Sequence, residues 1–212
     1  MTEILAGHAR RSLPMVAAFC CLALATATAG APTTTATPTS PTVLSVDDIR
    51  AITGIHEFHV PDVPGHGDLV APVPIPDTPA LCRAVYDQPV VFGTDWTQFR
   101  SVTYSADIPH PLLPGIASLA QSIAIYPDAG AARGAFERIV AAAPACSDMN
   151  ADYYHRTLQH PDPNTLILNG DMVTDGYRLS DTALIGVSTL VPSELAPIDA
   201  LNLVERLQDA QR

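Results

Sequence analysis

The 212-residue sequence predicts one α+β domain: an antiparallel, or mostly antiparallel, sheet of about six strands covered on one side by about three helices, with one disulfide. Three observations predict it. Strand-patterned segments follow one another across short turns, as an antiparallel meander requires. Few segments carry helical periodicity, so helices do not alternate with strands as they do over a parallel sheet. Outside the N-terminal apolar stretch the only cysteines are Cys82 and Cys146, and in an oxidising compartment each has just the other to pair with.

The chain opens on a targeting segment. Arg10 and Arg11 precede an apolar run, Leu13 to Ala25, and Ala27-Thr28-Ala29 has the small-x-small form a signal peptidase reads, so residues 1–29 are expected to be cut before Gly30. A run of about 13 residues falls short of the roughly 20 a spanning helix needs. Two alternatives stay open: an uncleaved anchor, and lipidation at Cys20 or Cys21, although Phe19 and Cys20 stand where a small residue belongs. The expected location is outside the cytoplasmic membrane, secreted or in the cell envelope. Residues 30–44 are a Pro/Thr-rich linker, which leaves residues 45–212 as the folded domain.

Within that domain Ser45-Val46-Asp47-Asp48 has a capping-box arrangement, Val46, Ile49 and Ile52 share one face, and Gly54 supplies the stop. Residues 55–80 hold six prolines and read as a long irregular loop. Strands are expected at Cys82–Asp87, Trp96–Ser105 and through Leu119, Ile123 and Ile125. Asp128 caps the best helix, with Ala132, Phe136, Ile139, Val140 and Ala143 as its apolar stripe and Pro144 as its stop, just before Cys146. A disulfide there pins the end of this helix to the sheet. Three more strands follow, Thr165–Leu168, Met172–Leu179 and Thr182–Val191, joined by Asn169-Gly170 and Ser180-Asp181. A final helix, capped by Ser193, carries Ile198, Leu201, Val204 and Leu207.

The formal net charge of −11 argues against nucleic acid as a partner, since every phosphate contact needs a cation. The basic residues are all Arg, a bias that a GC-rich genome explains without a binding surface. His56, His59 and His66, flanked by Asp62 and Asp68, suggest zinc, but a Pro-rich loop is a poor tetrahedral scaffold, and solvent-exposed histidines are the preferred explanation. No nucleophile elbow, phosphate loop or dinucleotide fingerprint is present. Ser101, Ser118, Ser180 and Ser188 have no recognisable catalytic setting. Asp171, Asp175 and Asp181 flank tight turns, where Asp is favoured for its local hydrogen bonding, with calcium as the alternative. The candidate ligand contacts are Trp96, Arg100 and Tyr104 on one strand face; the alternative makes Trp96 and Val102 core and Arg100 a rim ion pair. Tyr153-Tyr154-His155-Arg156 is suggestive in the same way. No catalytic residue, metal ligand or cofactor is assigned.

Several phrases recur in the order and spacing of a known family. They are Leu44-Ser45-Val46-Asp47-Asp48-Ile49 with Gly54, Val85-Tyr86 followed by Gly93-x-x-Trp96-x-x-x-Arg100, and Gln121-Ser122-Ile123-Ala124-Ile125-Tyr126-Pro127-Asp128-Ala129 leading to Cys146. Over residues 44–210 the chain resembles the extracellular sensor domain family of the mycobacterial serine/threonine kinase PknH. The resemblance implies a mixed sheet-and-helix domain with a cleft for an unidentified ligand. It also implies two disulfides, of which this sequence retains the cysteines for one. The 212 residues carry neither a kinase domain nor a second hydrophobic span, so this chain is not expected to pass a signal across a membrane itself. Three functions are weighed: a non-enzymatic binding or sensor-like domain for an unknown small molecule, an envelope hydrolase, and a structural protein docking on an envelope component. Membrane association is expected only through an uncleaved or lipidated N-terminus.

Overall fold

The computed structural model describes residues 40–63, 67–108, 115–149, 151, 153–191 and 198–212. The signal peptide, most of the linker, His66 and the Ser193 cap lie outside them. Helix α1 (Val46–Thr53) begins as its sequence predicts: the Asp48 N–H donates to Ser45 Oγ, and the Asp48 carboxylate accepts from the Ser45 N–H. Gly54 ends it in the left-handed region at φ 72°, where a side chain would be strained.

Seven strands form one antiparallel sheet: β1 (Asp68–Leu69), β2 (Gln98–Ile108), β3 (Gly115–Ile125), β4 (Thr157–Gln159), β5 (Thr165–Asn169), β6 (Val173–Ser180) and β7 (Ala183–Leu190). Their spatial order is β1-β2-β3-β7-β6-β5-β4. Among the described residues four helices follow α1: the pair α2 (Arg83–Tyr86) and α3 (Gln88–Phe92), then α4 (Ala129–Ser147) and α5 (Ala200–Asp209).

Strand alternation sends neighbouring residues to opposite faces, and each face has its own core. On one face Phe99, Ala124, Leu166, Leu168, Tyr177, Leu179 and Leu184 pack under α2, α3 and α4 through Val85, Phe92, Phe136 and Ile139. On the other, Val102, Tyr104, Leu119, Ile123, Ile167, Ile185 and Val187 meet Ile49 of α1 and Leu203, Val204 and Leu207 of α5. The sheet is therefore sandwiched between helices rather than covered on one side.

The structure corrects other expectations as well. Cys82–Asp87 is helical, a 3₁₀ turn over Ala80–Cys82 running into α2. Cys82 and Val85 are both fully buried, and a spacing of three residues puts both on one side of a helical turn facing α4. Pro144 does not end α4, which continues to Ser147. Proline removes one hydrogen bond of the last turns, and the bond from Cys146 to Cys82 holds the turn beyond it. Trp96 precedes β2 rather than lying in it. α5, capped by Asp199, buries Ala200, Leu203, Val204 and Leu207, while Leu201 is half-buried. The extra strands are β4 and the two-residue β1, which with the His59–Ser105 bridge pins part of the irregular loop to β2.

The disulfide joins residues 64 apart, which in the chain-entropy model removes about 4 kcal/mol of unfolded-state freedom. The Cys82→Ser/Cys146→Ser variant is expected to melt roughly 10 °C lower. A thermal melt of the variant within a degree or two of the unreduced parent would contradict this.

Candidate functional site

The helix-covered core occupies only one end of its sheet face, where β2 and β7 begin and β3 and β6 end. Beyond it the same face is open, and two confluent hollows of about 190 and 470 Å³ form a cleft over β2, β3, β7 and β6. Its floor is made of small and hydroxylic side chains: Ser101, Thr103, Ser118, Ala120, Ser122 and Ser188. The Ser101 and Ser122 hydroxyls are hydrogen-bonded at 2.8 Å. One wall is the Pro-rich segment Val73–Pro76, fastened to the helix pair where the Val73 N–H donates to Gln88 Oε1 at 3.1 Å and the Ile75 N–H to Asp87 Oδ1 at 3.2 Å. Asp87 is in turn paired with Arg83 at 2.9 Å. Tyrosines supply the inner wall. Tyr86 and Tyr153 flank Tyr154 at ring separations of 5.7 and 5.1 Å, and the Tyr177 hydroxyl donates to the Val85 carbonyl.

Asp175 sits at the inner end of the cleft, in mid-β6 and 2% exposed. The Arg156 guanidinium, equally buried, approaches it no closer than 4.0 Å, beyond hydrogen-bond range. Arg156 Nε, Asp175 Oδ2 and the Tyr86 hydroxyl are all buried without a hydrogen-bond partner. Such groups are rare because each costs the desolvation of a polar atom. Burial pushes the Asp175 carboxyl up to about 6, opposed in part by the Ser188 hydroxyl and by Arg156. Burial, reinforced by the Asp175 charge, likewise raises the Tyr86 hydroxyl. Arg156 is itself held in place: its Nη1 donates to the His155 carbonyl at 2.9 Å, and it lies over the Tyr153 ring at 5.5 Å. A Cβ on Gly170 would come within 2.7 Å of the same guanidinium, so only glycine leaves it room.

Asp175 lies in a strand, as the segment Met172–Leu179 predicts, and faces the cleft. Its sequence signal was a carboxylate within that strand-patterned segment. Ser101, Ser118 and Ser188 also reach the floor, and Tyr153, Tyr154 and Arg156 gather around Asp175.

Trp96, Arg100 and Tyr104 are placed elsewhere, and none lines the cleft. Trp96 packs on Phe99 at 5.8 Å and donates Nε1–H to the Gly93 carbonyl. Arg100 forms a two-pronged ion pair with Asp68 at 3.0 and 2.7 Å. It also donates to the Pro41 carbonyl, while the Tyr104 hydroxyl donates to that of Leu44 at 2.8 Å. Gln121, fully buried on β3, completes this strap: its Oε1 accepts from the Leu44 N–H at 3.0 Å and its Nε2 donates to the Leu44 carbonyl at 2.7 Å. Gln211 binds Thr42 in the same two-way fashion. Two of the three sequence candidates thus hold the linker's end against the face opposite the cleft.

His56 and His59 are exposed. Among the described residues no group of three or more His, Cys, Asp or Glu side chains is placed to hold a metal, and no helix is long and apolar enough to cross a membrane.

The class so defined is a disulfide-clamped α+β domain, its sheet sandwiched between helices and opened into a cleft at the uncovered end of the α4 face. The chain belongs to the family of PknH-like extracellular domains, whose family model matches residues 34–184. Among solved structures it is similar to the extracellular domain of PknH from Mycobacterium tuberculosis, with a TM-score of 0.57 and 15% sequence identity over 79% of this chain and 91% of that one. At that identity the likeness is one of fold. No curated protein matches the chain. The resemblance read from the phrases around Ser45, Trp96 and Tyr126 is borne out.

Two predictions follow from this geometry. The folded state holds the Asp175 proton more tightly than the unfolded chain, so stability rises as pH falls from 7 through about 6 towards the ordinary carboxylate value. Asp48, held low by its Ser45 hydrogen bonds, and Asp162, held low against its burial by Asn164, Thr165 and Arg178, act oppositely, and their contribution is lost below about pH 4. Melting temperatures measured between pH 7 and 5 should rise more steeply for the parent than for Asp175→Asn; equal slopes would refute the assignment. Separately, Gln121→Leu leaves the Leu44 N–H without its partner and should cost about 1–3 kcal/mol, with fast hydrogen exchange at the Leu44 amide. Unchanged protection there would contradict the strap.

Proposed function

We propose that this chain is a non-enzymatic extracytoplasmic ligand-binding or sensor-like domain of the bacterial cell envelope, which takes a small molecule into the cleft over β2, β3, β7 and β6. One observation carries the reading: Asp175 Oδ2 and the Tyr86 hydroxyl converge on that cleft buried and unpartnered, as polar groups of a ligand site do. Membership of an extracellular-domain family and a disulfide suited to an oxidising compartment support a location outside the cytoplasmic membrane. The signal peptide cut before Gly30 and the 30–44 linker belong to this proposal. The net charge of −11 and the lack of any Arg or His among the described residues lining the cleft count against nucleic acid.

A hydrolase reading has one observation in its favour, a cleft carboxyl with a raised pKa beside the Ser188 hydroxyl. The chemistry around it is incomplete. Glycoside hydrolysis uses a pair of carboxyls, and among the described residues Asp175 is the only one lining the cleft. An activated serine needs an adjacent base such as histidine, and among the described residues no histidine lines the cleft either.

Native mass spectrometry of the protein purified from its own host should reveal a retained small molecule, lost in Ala120→Trp, which fills the cleft floor. Retention by the filled variant would move the site elsewhere. Turnover of wall glycan or glycolipid, abolished by Asp175→Asn, would favour the hydrolase.

A further inference from the structure

The chemistry of the cleft restricts what it can hold. Among the described residues lining it, Asp175 is the one ionisable carboxyl and none is a cation; its counter-ion Arg156 is buried beside it and is not part of that lining. Among those residues an anionic ligand would meet a carboxylate and no cation, while a cationic one would compete with a guanidinium already in place. An apolar ligand would leave Asp175 Oδ2 and the Tyr86 hydroxyl buried and unpaired. Asp175 Oδ2 lacks a donor, whereas the Tyr86 O–H lacks an acceptor. A hydroxyl satisfies both demands, because it donates one bond and accepts others.

Ser101, Thr103, Ser118, Ser122 and Ser188 present neutral hydroxyls along the floor, set among apolar side chains that include Val73, Ile75, Val173, Val187 and Leu190. Above them stands Tyr153, 60% exposed, with Arg156 over its ring. An aromatic face beside a hydroxylic floor suits a ligand with an apolar C–H face and a polar rim. The inner hollow of about 190 Å³ admits a single ring, and the outer one of about 470 Å³ extends past Ser118 and Leu190 towards the sheet end.

Resting on the reading of the cleft as a binding site, we propose that its occupant is a neutral sugar, one ring against Tyr153 and a hydroxyl received jointly by Asp175 and Tyr86, with further sugar units along the outer groove.

Saturation-transfer NMR on the full-length chain tests this, with glucose, galactose, mannose, arabinose and trehalose as neutral probes, glucuronate as the anionic probe and alanine amide as the amide probe. At least one neutral sugar should bind and glucuronate should not. Tyr86→Phe, which removes a single oxygen, and Tyr153→Ala should each weaken that sugar's binding about tenfold with the circular dichroism spectrum unchanged. Sugar binding untouched by both variants overturns the placement. Binding of glucuronate or alanine amide alone, sensitive to Tyr86→Phe, overturns the sugar assignment and leaves the cleft a binding site. If no probe binds and the molecule retained from the host is not a glycan, the sugar assignment fails; if nothing is retained either, both readings fail.

Discussion

A single helix cannot cover a face of this sheet, and the rest of the molecule depends on that mismatch. β2 and β3 have 11 residues each, about 37 Å of extended chain, whereas a helix with its side chains is about 10 Å across. α4 settles on one end of the face, over Phe99, Ala124, Leu179 and Leu184. The disulfide from its last turn to the residue before α2 fixes the helix pair beside it, and the Tyr177–Val85 and Tyr126–Phe92 hydrogen bonds fasten that pair to the sheet. What remains of the face is the walled cleft. On the other face α1 and α5 meet Val102, Leu119, Ile123, Ile185 and Val187.

This asymmetry separates two jobs that a strand such as β2 performs at once. Its residues Ser101 and Thr103 look into the cleft, while Arg100, Val102 and Tyr104 look the other way. The same holds on β3, where Ser118, Ala120 and Ser122 form floor and Gln121 grips Leu44. A one-residue slip in register would exchange the two sets. Pro41 and Leu44, at the end of the linker, are therefore gripped by the strands that carry the cleft, from behind it.

Much of this was legible in the sequence. The capping box at Ser45, the Gly54 stop, the Asp128 cap, the central helix, the meander from Thr165 to Val191 and the Cys82–Cys146 pair all depend on neighbouring residues or on composition. The errors fall where tertiary contacts decide. Cys82–Asp87 has too few apolar residues to separate strand from helix by period, and burial against α4 settles it. β1 and β4 are too short to have a period at all. Arg100 and Tyr104 were recognised as polar and aromatic neighbours on one face, but nothing local says which face meets helices. Asp175 was hidden for a related reason: the strand over Met172–Leu179 was legible, but nothing local says that the face bearing Asp175 opens into a cleft. Arg156, 19 residues upstream, gives no local sign of meeting Asp175.

The central claim is that the open end of the α4 face, not the linker-bearing face, receives the ligand. Backbone amide NMR during titration with an envelope extract from the protein's own host tests it most directly. The account predicts shifts concentrated at Ser101, Ala120, Asp175, Gly186 and Ser188. Shifts concentrated instead at Arg100, Tyr104, Gln121 and Leu44 would contradict it.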